Sequence, residues 1–391
     1  MPAGGRPETM RRRRLLGLAA GAAGLSGCLG GLPPTSRSPT AAARDRGSVA
    51  GVSLPVPESQ LHGSVSRDAI PAIVDPEFGT DWAGLELTIE NPFSGNRVVR
   101  PRLADDDPVI GVARAGEARA YPLKLLNWHE VVNDRLGGPL LVTYCPLCRS
   151  GLVAVRRLDG SPARFGVSGE LWRSNLVLYD GRTDSRWAQV AATAIRGPMT
   201  GTTLELVPST IATWRGWREA HPETVVLLPP PASNTVNGRS SIRDYGRDPY
   251  ARYGTDRTTG PGSTFDDDRL HPKALVIGVA HDGAAKAYPL AEVRRAGVVN
   301  DRVGGRPVVV ALAPGDGLVA FDRRLDGSVL TFDRTADGRL RAGGSRFALP
   351  CGEAVDGPLA GASLEPAAPI PPLFWFSWLD FHPDSALYRA P

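Results

Sequence analysis

The sequence predicts a mainly β (α+β) protein made of two homologous β-rich halves, which arose by internal duplication and carry short helices. The stretch 109–160 recurs at 276–327, where VIGVARAGEARAYPL returns as VIGVAHDGAAKAYPL. AIRGPMTGTTLE at 194–205 likewise returns as AVDGPLAGASLE at 354–365. The repeated stretch also alternates apolar and polar residues on both sides of an Ala-Gly turn, which is typical of a β-hairpin. Each copy is long enough to bury a core.

Composition divides the chain into five predicted parts. Residues 1–27 combine a run of arginines with a short apolar stretch that ends in Leu-Ser-Gly before a cysteine, a pattern typical of a lipoprotein signal peptide. Residues 28–66 are rich in Pro, Ser, Gly and Ala, so we predict a flexible tether. The remaining parts are a first half with the candidate site (67–230), a linker (231–271) and a second, degenerate half (272–391).

The N-terminal signal predicts export and lipid attachment at Cys28. The protein would then be lipid-anchored at the extracytoplasmic face of the cell membrane, and the membrane would be a partner reached through the lipid. The apolar run is too short to span a bilayer by itself. Tandem arginines before this run suit the twin-arginine route as well as general secretion, and both routes stay open.

The distribution of charge argues against a nucleic-acid partner. The whole chain has 45 basic and 41 acidic residues, a net charge of +4. Residues 1–27 alone hold five arginines and one glutamate, also a net charge of +4, so the remainder is balanced. Nucleic-acid binding needs a clustered basic surface, and no basic run occurs after residue 27.

Three reactive side chains occur in the first copy alone: Cys145, Cys148 and His129. Where the first copy reads YCP and WHE, the second reads LAP and RAG. Groups kept in both copies are most simply scaffold, so groups present in one copy are candidates for function. We predict that 140–144 is a buried strand ending at Cys145 and that 124–132 forms helical turns on which His129 could face the cysteines.

These residues allow three functions. Two thiolates and one imidazole suit a soft metal, so we favour a copper or zinc site at Cys145, Cys148 and His129, with a slight preference for copper. The same spacing supports thiol–disulfide exchange, with Cys145 attacking and Cys148 resolving, although redox motifs of this type usually open a helix. The third possibility is a structural disulfide in a noncatalytic surface module that binds a ligand.

A polar set between residues 165 and 189 also belongs to the first copy alone. One interpretation is that these side chains orient His129 or bind a polar ligand. The other is that they satisfy buried backbone groups in an irregular loop. The sequence leaves both interpretations open for Ser168, Asn175, Tyr179 and Asp180.

The chain carries, in order, the motifs NWHEVVND, VTYCPLCRSG, FGVSGELWRSNLVLYD, SRWAQ, AIRGPMTG, WREAHPETVVL, RDYGRDPYARY and DDRLHPKALVIGV. Together they resemble a widespread bacterial and archaeal family, domain of unknown function 3179, over about residues 68–388. The resemblance points at the same cysteines, histidine and polar set, and it adds Trp187 and Gln189. One departure is Arg149, where the family often has a small residue; this cation implies a lowered thiol pKa or narrower access.

Other conspicuous residues are predicted to be structural. Cys351 is expected to be a buried core thiol. His221 and His382 occupy matching places before a proline, which favours a hydrogen-bonding role at a helix end. The WxxW pairs that begin at Trp214 and Trp375 have helical spacing and are predicted to lie in the core.

Overall fold

The computed structural model describes residues 47–90, 95–238, 241–313, 317–349 and 351–391. Over these ranges the protein is mainly β, with 41% strand, so the predicted class is confirmed. None of the helices in the described ranges has the length and apolar character needed to cross a bilayer. The predicted signal peptide and Cys28 lie outside the described residues. The four α-helices are α1 (Leu123–His129), α2 (Trp214–Ala220), α3 (Leu290–Ala296) and α4 (Trp375–Phe381).

Six main sheets form an arrangement like a six-bladed β-propeller. Sheets 1 to 3 come from residues 62–235. Sheet 1 contains, in spatial order, Thr210–Thr213, Pro108–Arg114, Glu117–Pro122, Val225–Leu227 and Phe78–Gly79. Sheet 2 contains Ser150–Val155, Pro139–Cys145, Val131–Arg135, Ile73–Asp75 and Asn234–Thr235. Sheet 3 contains Thr193–Arg196, Arg186–Ala188, Asn175–Asp180, Phe165–Trp172 and His62–Gly63.

Sheets 4 to 6 come from residues 275–387. Sheet 4 contains Leu373–Phe374, Leu275–His281, Ala284–Pro289 and Ala386–Leu387. Sheet 5 contains Val298–Val303, Arg306–Ala313 and Gly317–Asp322, and sheet 6 contains Asp333–Arg334, Leu340–Ala342 and Ser345–Phe347. The remaining strands pair as two-stranded hairpins: Ser48–Val49 with Val52–Ser53, Leu87–Ile89 with Arg97–Val99, Arg157–Leu158 with Ser161–Pro162, and Arg324–Leu325 with Ser328–Val329.

The core clusters continue across the predicted boundary between the halves. Phe374 and Phe376 lie in the same buried cluster as Phe165. Trp172 belongs to a cluster shared with α4, where its ring meets Phe381 edge-on at 5.5 Å between centroids. The apolar face of a sheet must be buried against another element, so the sheets on either side of the predicted boundary between the halves pack on each other. The predicted architecture of two homologous halves is therefore corrected to a propeller-like set of six sheets.

Residues shared by the two sequence copies make matching contacts. Tyr121 donates a hydrogen bond of 2.6 Å to Asp134. Tyr288 donates a corresponding bond of 3.0 Å to Asp301. Residues common to both copies thus serve the scaffold, which agrees with the reasoning that set apart the groups found in one copy.

The predicted core tryptophans and helix-end histidines lie where the sequence placed them. Trp214 and Trp375 are buried. His221 follows the last residue of α2, and its ring lies 4.1 Å from that of Trp217 between centroids. His382 occupies the matching place after α4. Cys351, in contrast, is exposed, so the expectation of a core thiol is wrong.

Two segments predicted as connectors pack against the sheets. Val56, within the predicted tether, is fully buried, and its N–H donates a 3.0 Å hydrogen bond to the carbonyl of Ile195. Tyr245, within the predicted linker, is also buried. The described parts of the tether and of the 231–271 linker therefore belong to the folded structure, because their apolar side chains fill core positions.

Candidate functional site

Cys145 and Cys148, which we call the cysteine pair, lie where a buried strand ends, as predicted. The strand Pro139–Cys145 is buried along its whole length. Both thiols are free, with 2% of Cys145 and 0% of Cys148 exposed. Their Sγ atoms lie 3.9 and 3.2 Å, respectively, from the carbonyl oxygen of Ser174. The two sulfur atoms therefore converge on one side of the turn.

His129 does not join the cysteine pair. It is the last residue of α1, and its ring is completely buried. Nδ1 lies 2.8 Å from the carbonyl oxygen of Pro71, so this nitrogen must carry a proton. Nε2 lies 2.8 Å from the hydroxyl of Tyr245 and accepts a hydrogen bond from it. Burial lowers the pKa of His129 to about 4, so the imidazole is neutral and both of its nitrogens are occupied.

The described residues contain no group of three or more His, Cys, Asp and Glu side chains arranged to hold a metal ion. The predicted set of Cys145, Cys148 and His129 is thus not brought together. The reason lies in the 231–271 segment, which folds back to place Tyr245 against the imidazole. Any metal bound by the thiolates would need other ligands to replace His129.

Glu130 is the acidic residue next to the cysteine pair, and it is not among the site residues predicted from the sequence. Antiparallel pairing of Val131 with Thr143 sets Glu130 beside Tyr144, whose N–H donates a 2.9 Å hydrogen bond to the Glu130 carbonyl. Its side chain is buried, and among the described residues no hydrogen-bond donor or cation contacts its carboxyl group. Burial, together with the nearby charge of Cys145, holds the pKa of Glu130 well above its usual range.

Glu130 also occupies a backbone position that favours glycine. It caps the C-terminus of α1 with a φ of 56°, in the left-handed region. The corresponding cap of α3 is Gly297, with a φ of 75°. A residue with a Cβ is strained in this region, which is why glycine is common at such caps. The first copy therefore carries a strained and buried acid where the second copy has the unstrained residue.

The thiol of Cys145 is strongly shielded from ionisation. Burial raises the pKa of Cys145 well above its usual range, and the hydrogen bond and charge of Cys148 raise it further. The expectation that Arg149 lowers the pKa of this thiol is therefore wrong. Arg149 follows the turn and has a φ of 51°. Its charge acts instead on Tyr144: burial raises the pKa of this phenol, and the cation offsets part of that rise.

Residues 250–264, which we call the covering segment, pack over the cysteine pair. Tyr253 is packed against the core cluster that contains both cysteines. The carbonyl of Pro261 accepts a 2.8 Å hydrogen bond from the N–H of Ser174, the residue whose own carbonyl faces the sulfur atoms. Lys273, whose side chain is fully buried, forms an ion pair with Asp256 and donates to the Tyr253 carbonyl. These contacts hold the segment closed over the thiols.

The covering segment also brings phenol groups toward the site. Burial raises the pKa of Tyr250, and the charges of Glu130 and Cys145 raise it further. The hydroxyl of Tyr253 is buried without a hydrogen-bond partner among the described residues. Both tyrosines lie in the RDYGRDPYARY motif, so the sequence held a signal for them, although not for their position.

Two of the predicted polar residues support the turn of the cysteine pair. Asn175 donates a 2.9 Å hydrogen bond from Nδ2 to Oε1 of Gln189. Ser150, which pairs with Cys145 across sheet 2, donates a 2.8 Å bond to the same oxygen. Gln189 donates in turn to the Ser150 carbonyl at 3.0 Å, and Asn175 accepts from the Val190 N–H at 2.9 Å. This buried network fixes the strand that follows the turn.

The other predicted polar residues serve sheet 3 itself. Ser168 donates to the Val177 carbonyl at 2.5 Å, beside a bulge in its strand. Tyr179 donates to the carboxylate of Asp68 at 2.8 Å. Burial raises the pKa of Asp180, but hydrogen bonds from Trp187 and neighbouring groups outweigh it and hold the pKa below its usual value. Their polar atoms are thus used locally, which fits the structural interpretation of these four residues.

Comparison of the sequence with protein families identifies one family over most of the chain. Residues 67–385 match the family described as protein of unknown function (DUF3179). The chain belongs to the DUF3179 family. The matched range of this DUF3179 protein includes the cysteine pair, Glu130 and the covering segment. No curated protein and no solved structure matches the chain.

Proposed function

We propose that the cysteine pair is a reversible dithiol–disulfide couple and that Glu130 is its proton acceptor. The observation that carries the proposal is the placement beside Cys145 of a carboxyl group that has no hydrogen-bond partner among the described residues, on a residue that is only 6% exposed. Glu130 combines two costs, a left-handed backbone and a desolvated acid, and Gly297 in the second copy avoids both. Costly residues of this kind concentrate at functional sites.

The raised pKa values match the two groups to each other. A buried thiol of high pKa is protonated at neutral pH and is a poor nucleophile until its proton is removed. A carboxylate of ordinary pKa is too weak a base to take that proton, whereas one with a raised pKa is better matched. The charge of Cys145 raises the pKa of Glu130, so the two groups lie close enough to interact electrostatically.

The reaction is an exchange with a disulfide of the form RSSR. Cys145 gives its proton to Glu130, and the thiolate attacks one sulfur of RSSR, which releases the first RS⁻ and leaves a mixed disulfide. Cys148 then attacks Sγ of Cys145 and releases the second RS⁻. The two protons lost by the cysteine pair convert the two leaving groups to RSH. The cysteine pair is oxidised by two electrons and the substrate is reduced by two.

Access to the sulfur atoms requires movement of the covering segment. With the cysteine pair almost completely buried, a disulfide substrate reaches Cys145 only when residues 250–264 shift away from Ser174. The Lys273 ion pair with Asp256 resists that shift. The substrate is therefore either small or an extended peptide segment that displaces this part of the chain.

The redox potential of the cysteine pair tests the proposal. The full chain is equilibrated in glutathione buffers, quenched with acid, denatured and alkylated, and the peptide with residues 145 and 148 is analysed by mass spectrometry. We expect a potential between about −300 and −120 mV, since structural disulfides lie below about −300 mV. We also expect Glu130→Gln to slow reaction of the reduced pair with oxidised glutathione by about 100-fold at pH 7.

The control is Glu223→Gln, which changes an exposed carboxylate and leaves the rate unchanged. A potential below about −300 mV, together with an unchanged Glu130→Gln rate, would assign a structural disulfide instead.

Soft-metal binding by the two thiolates is the second candidate. The convergence of both sulfur atoms on the Ser174 side of the turn favours it, since copper(I) selects thiolate ligands. Elemental analysis of the reduced protein, with Cys145→Ser as the control, distinguishes metal binding from the redox couple. One copper or zinc ion per chain that is lost in Cys145→Ser supports the metal site and opposes the redox couple.

We also propose export and lipid attachment at Cys28, supported by the order of basic, apolar and small residues before it. Metabolic labelling with a palmitate analogue tests this, because Cys28→Ser should remove the label from the membrane fraction.

The six sheets are further proposed to descend from duplication of a three-sheet unit. The matching Tyr121–Asp134 and Tyr288–Asp301 hydrogen bonds support that origin.

A further inference from the structure

A cavity of about 160 Å³ lies between sheet 1 and sheets 4 and 5, apart from the cysteine pair. Its walls are mostly apolar, with Trp217 and Ile277 on two sides and Leu318 and Phe321 from sheet 5. No charged side chain lines it among the described residues. A cavity of this size and lining has room for one aromatic ring, since an apolar cavity of about 150 Å³ binds benzene.

Three polar atoms at the cavity lack a hydrogen-bond partner in the part of the chain that the structure describes. The hydroxyl groups of Ser209 and Thr210 and Nε2 of His221 are buried without a hydrogen bond among the described residues, and all three residues line this cavity. Thr210 is 8% exposed. Buried polar groups are almost always hydrogen-bonded, so three such groups without a hydrogen bond at one cavity indicate that a bound molecule supplies their partner. Burial lowers the pKa of His221, which keeps its ring neutral.

The two hydroxyl-bearing residues of the cavity come from the first copy alone. Ser209 and Thr210 precede Trp214 by the same intervals at which Ile370 and Pro371 precede Trp375. All four residues line the cavity, so equivalent stretches of the two copies contribute one hydroxyl-bearing pair and one apolar pair. A ligand that hydrogen-bonds to the hydroxyl-bearing pair and packs against the apolar pair needs one polar substituent on an apolar body.

We propose that this cavity binds a small, uncharged, single-ring molecule bearing a hydroxyl group, the phenol class. The ring packs against the apolar walls, and the phenol hydroxyl donates to Nε2 of His221 and accepts from Thr210 or Ser209. A charged aromatic acid is excluded because the cavity offers no opposite charge and would desolvate the carboxylate. This inference does not depend on the chemistry of the cysteine pair.

Phenol and toluene form the decisive pair of probes, since they have nearly the same shape and only phenol has a hydroxyl. Binding to the full chain is measured by ligand-detected NMR titration. We expect saturable binding, with phenol about tenfold tighter than toluene, the ratio expected for satisfying one or two orphaned groups. Thr210→Val, which replaces the hydroxyl with a methyl group of equal size, should reduce that preference to about twofold or less.

Thr143→Val is the matched control, because Thr143 is a buried threonine whose hydroxyl is also unpartnered but lies outside the cavity. It should leave the phenol preference unchanged. Ala368→Leu, which fills the cavity, should abolish binding of both probes and keeps the test decisive if Thr210→Val does not fold. No saturable phenol binding, equal binding of toluene, or an equal effect of Thr143→Val would overturn the proposal.

Discussion

Replacing Glu130 with Gln should stabilise the protein by an amount that grows with pH. The unfolded carboxyl group ionises near its ordinary pKa of 4.5, whereas the pKa of the buried group is well above that value. Between these two pKa values the folded state holds one proton that the unfolded state has lost. The free energy of unfolding therefore falls by about 1.4 kcal/mol per pH unit across this window.

Glu130→Gln removes this dependence, because the amide mimics the protonated acid and does not titrate. At pH 4 the variant and the wild type should have nearly equal free energies of unfolding. Above pH 4.5 the variant should gain about 1.4 kcal/mol per unit relative to the wild type, until the pKa of the folded state is passed.

Urea unfolding followed by tryptophan fluorescence at pH 4, 5, 6 and 7 measures this difference. Subtracting the wild type from the variant at each pH cancels the titration of all other groups. Glu223→Gln, at an exposed carboxylate, provides a control that should show no trend. A constant difference between pH 4 and 7, or a wild type more stable than Glu130→Gln at pH 7, would refute the reasoning about the buried acid.

Three further predictions follow from the same contacts. His129 has a folded pKa of about 4 against 6.5 when unfolded, so the titration of this ring alone should remove about 3 kcal/mol between pH 6.5 and 4, measured as the stability of the wild type minus that of His129→Gln in the same urea series. Asn175→Ala leaves the buried Val190 N–H unpaired and removes one of the two hydrogen bonds to Oε1 of Gln189, so it should lower the free energy of unfolding by about 2 kcal/mol, measured at pH 7 against Asn96→Ala at an exposed asparagine. Lys273→Met should loosen the covering segment and speed iodoacetamide labelling of the cysteine pair, and an unchanged rate would contradict the closure described above.

The sequence predicted the local geometry of the site well. The cysteine pair follows a buried strand, and His129 lies on a helix, because apolar runs and turn residues report on neighbouring positions in the chain. The sequence did not, however, predict which residues His129 contacts. Its actual partners, Pro71 and Tyr245, are distant in sequence, and only tertiary packing brings them to the ring.

Glu130 could have been found from the sequence. The comparison of WHE with RAG set it opposite Gly297, and a glycine after a helix usually marks a left-handed cap. An acid at such a cap is anomalous on the residue pattern alone, because its side chain strains the backbone that glycine adopts freely. The propeller-like set of six sheets was less accessible, because repeat length shows that a unit recurs but not how the units pack on each other.

Residues near the C-terminal end of the sequence also stabilise the turn of the cysteine pair. The N–H of Phe374 donates a 3.0 Å hydrogen bond to the carbonyl of Cys148, and Phe374 and Phe376 complete the surrounding hydrophobic cluster. A fragment ending near residue 230 would therefore retain both sulfur atoms yet lose the backing that fixes their orientation. The second copy thus supplies part of the packing that holds the cysteine pair of the first copy in place.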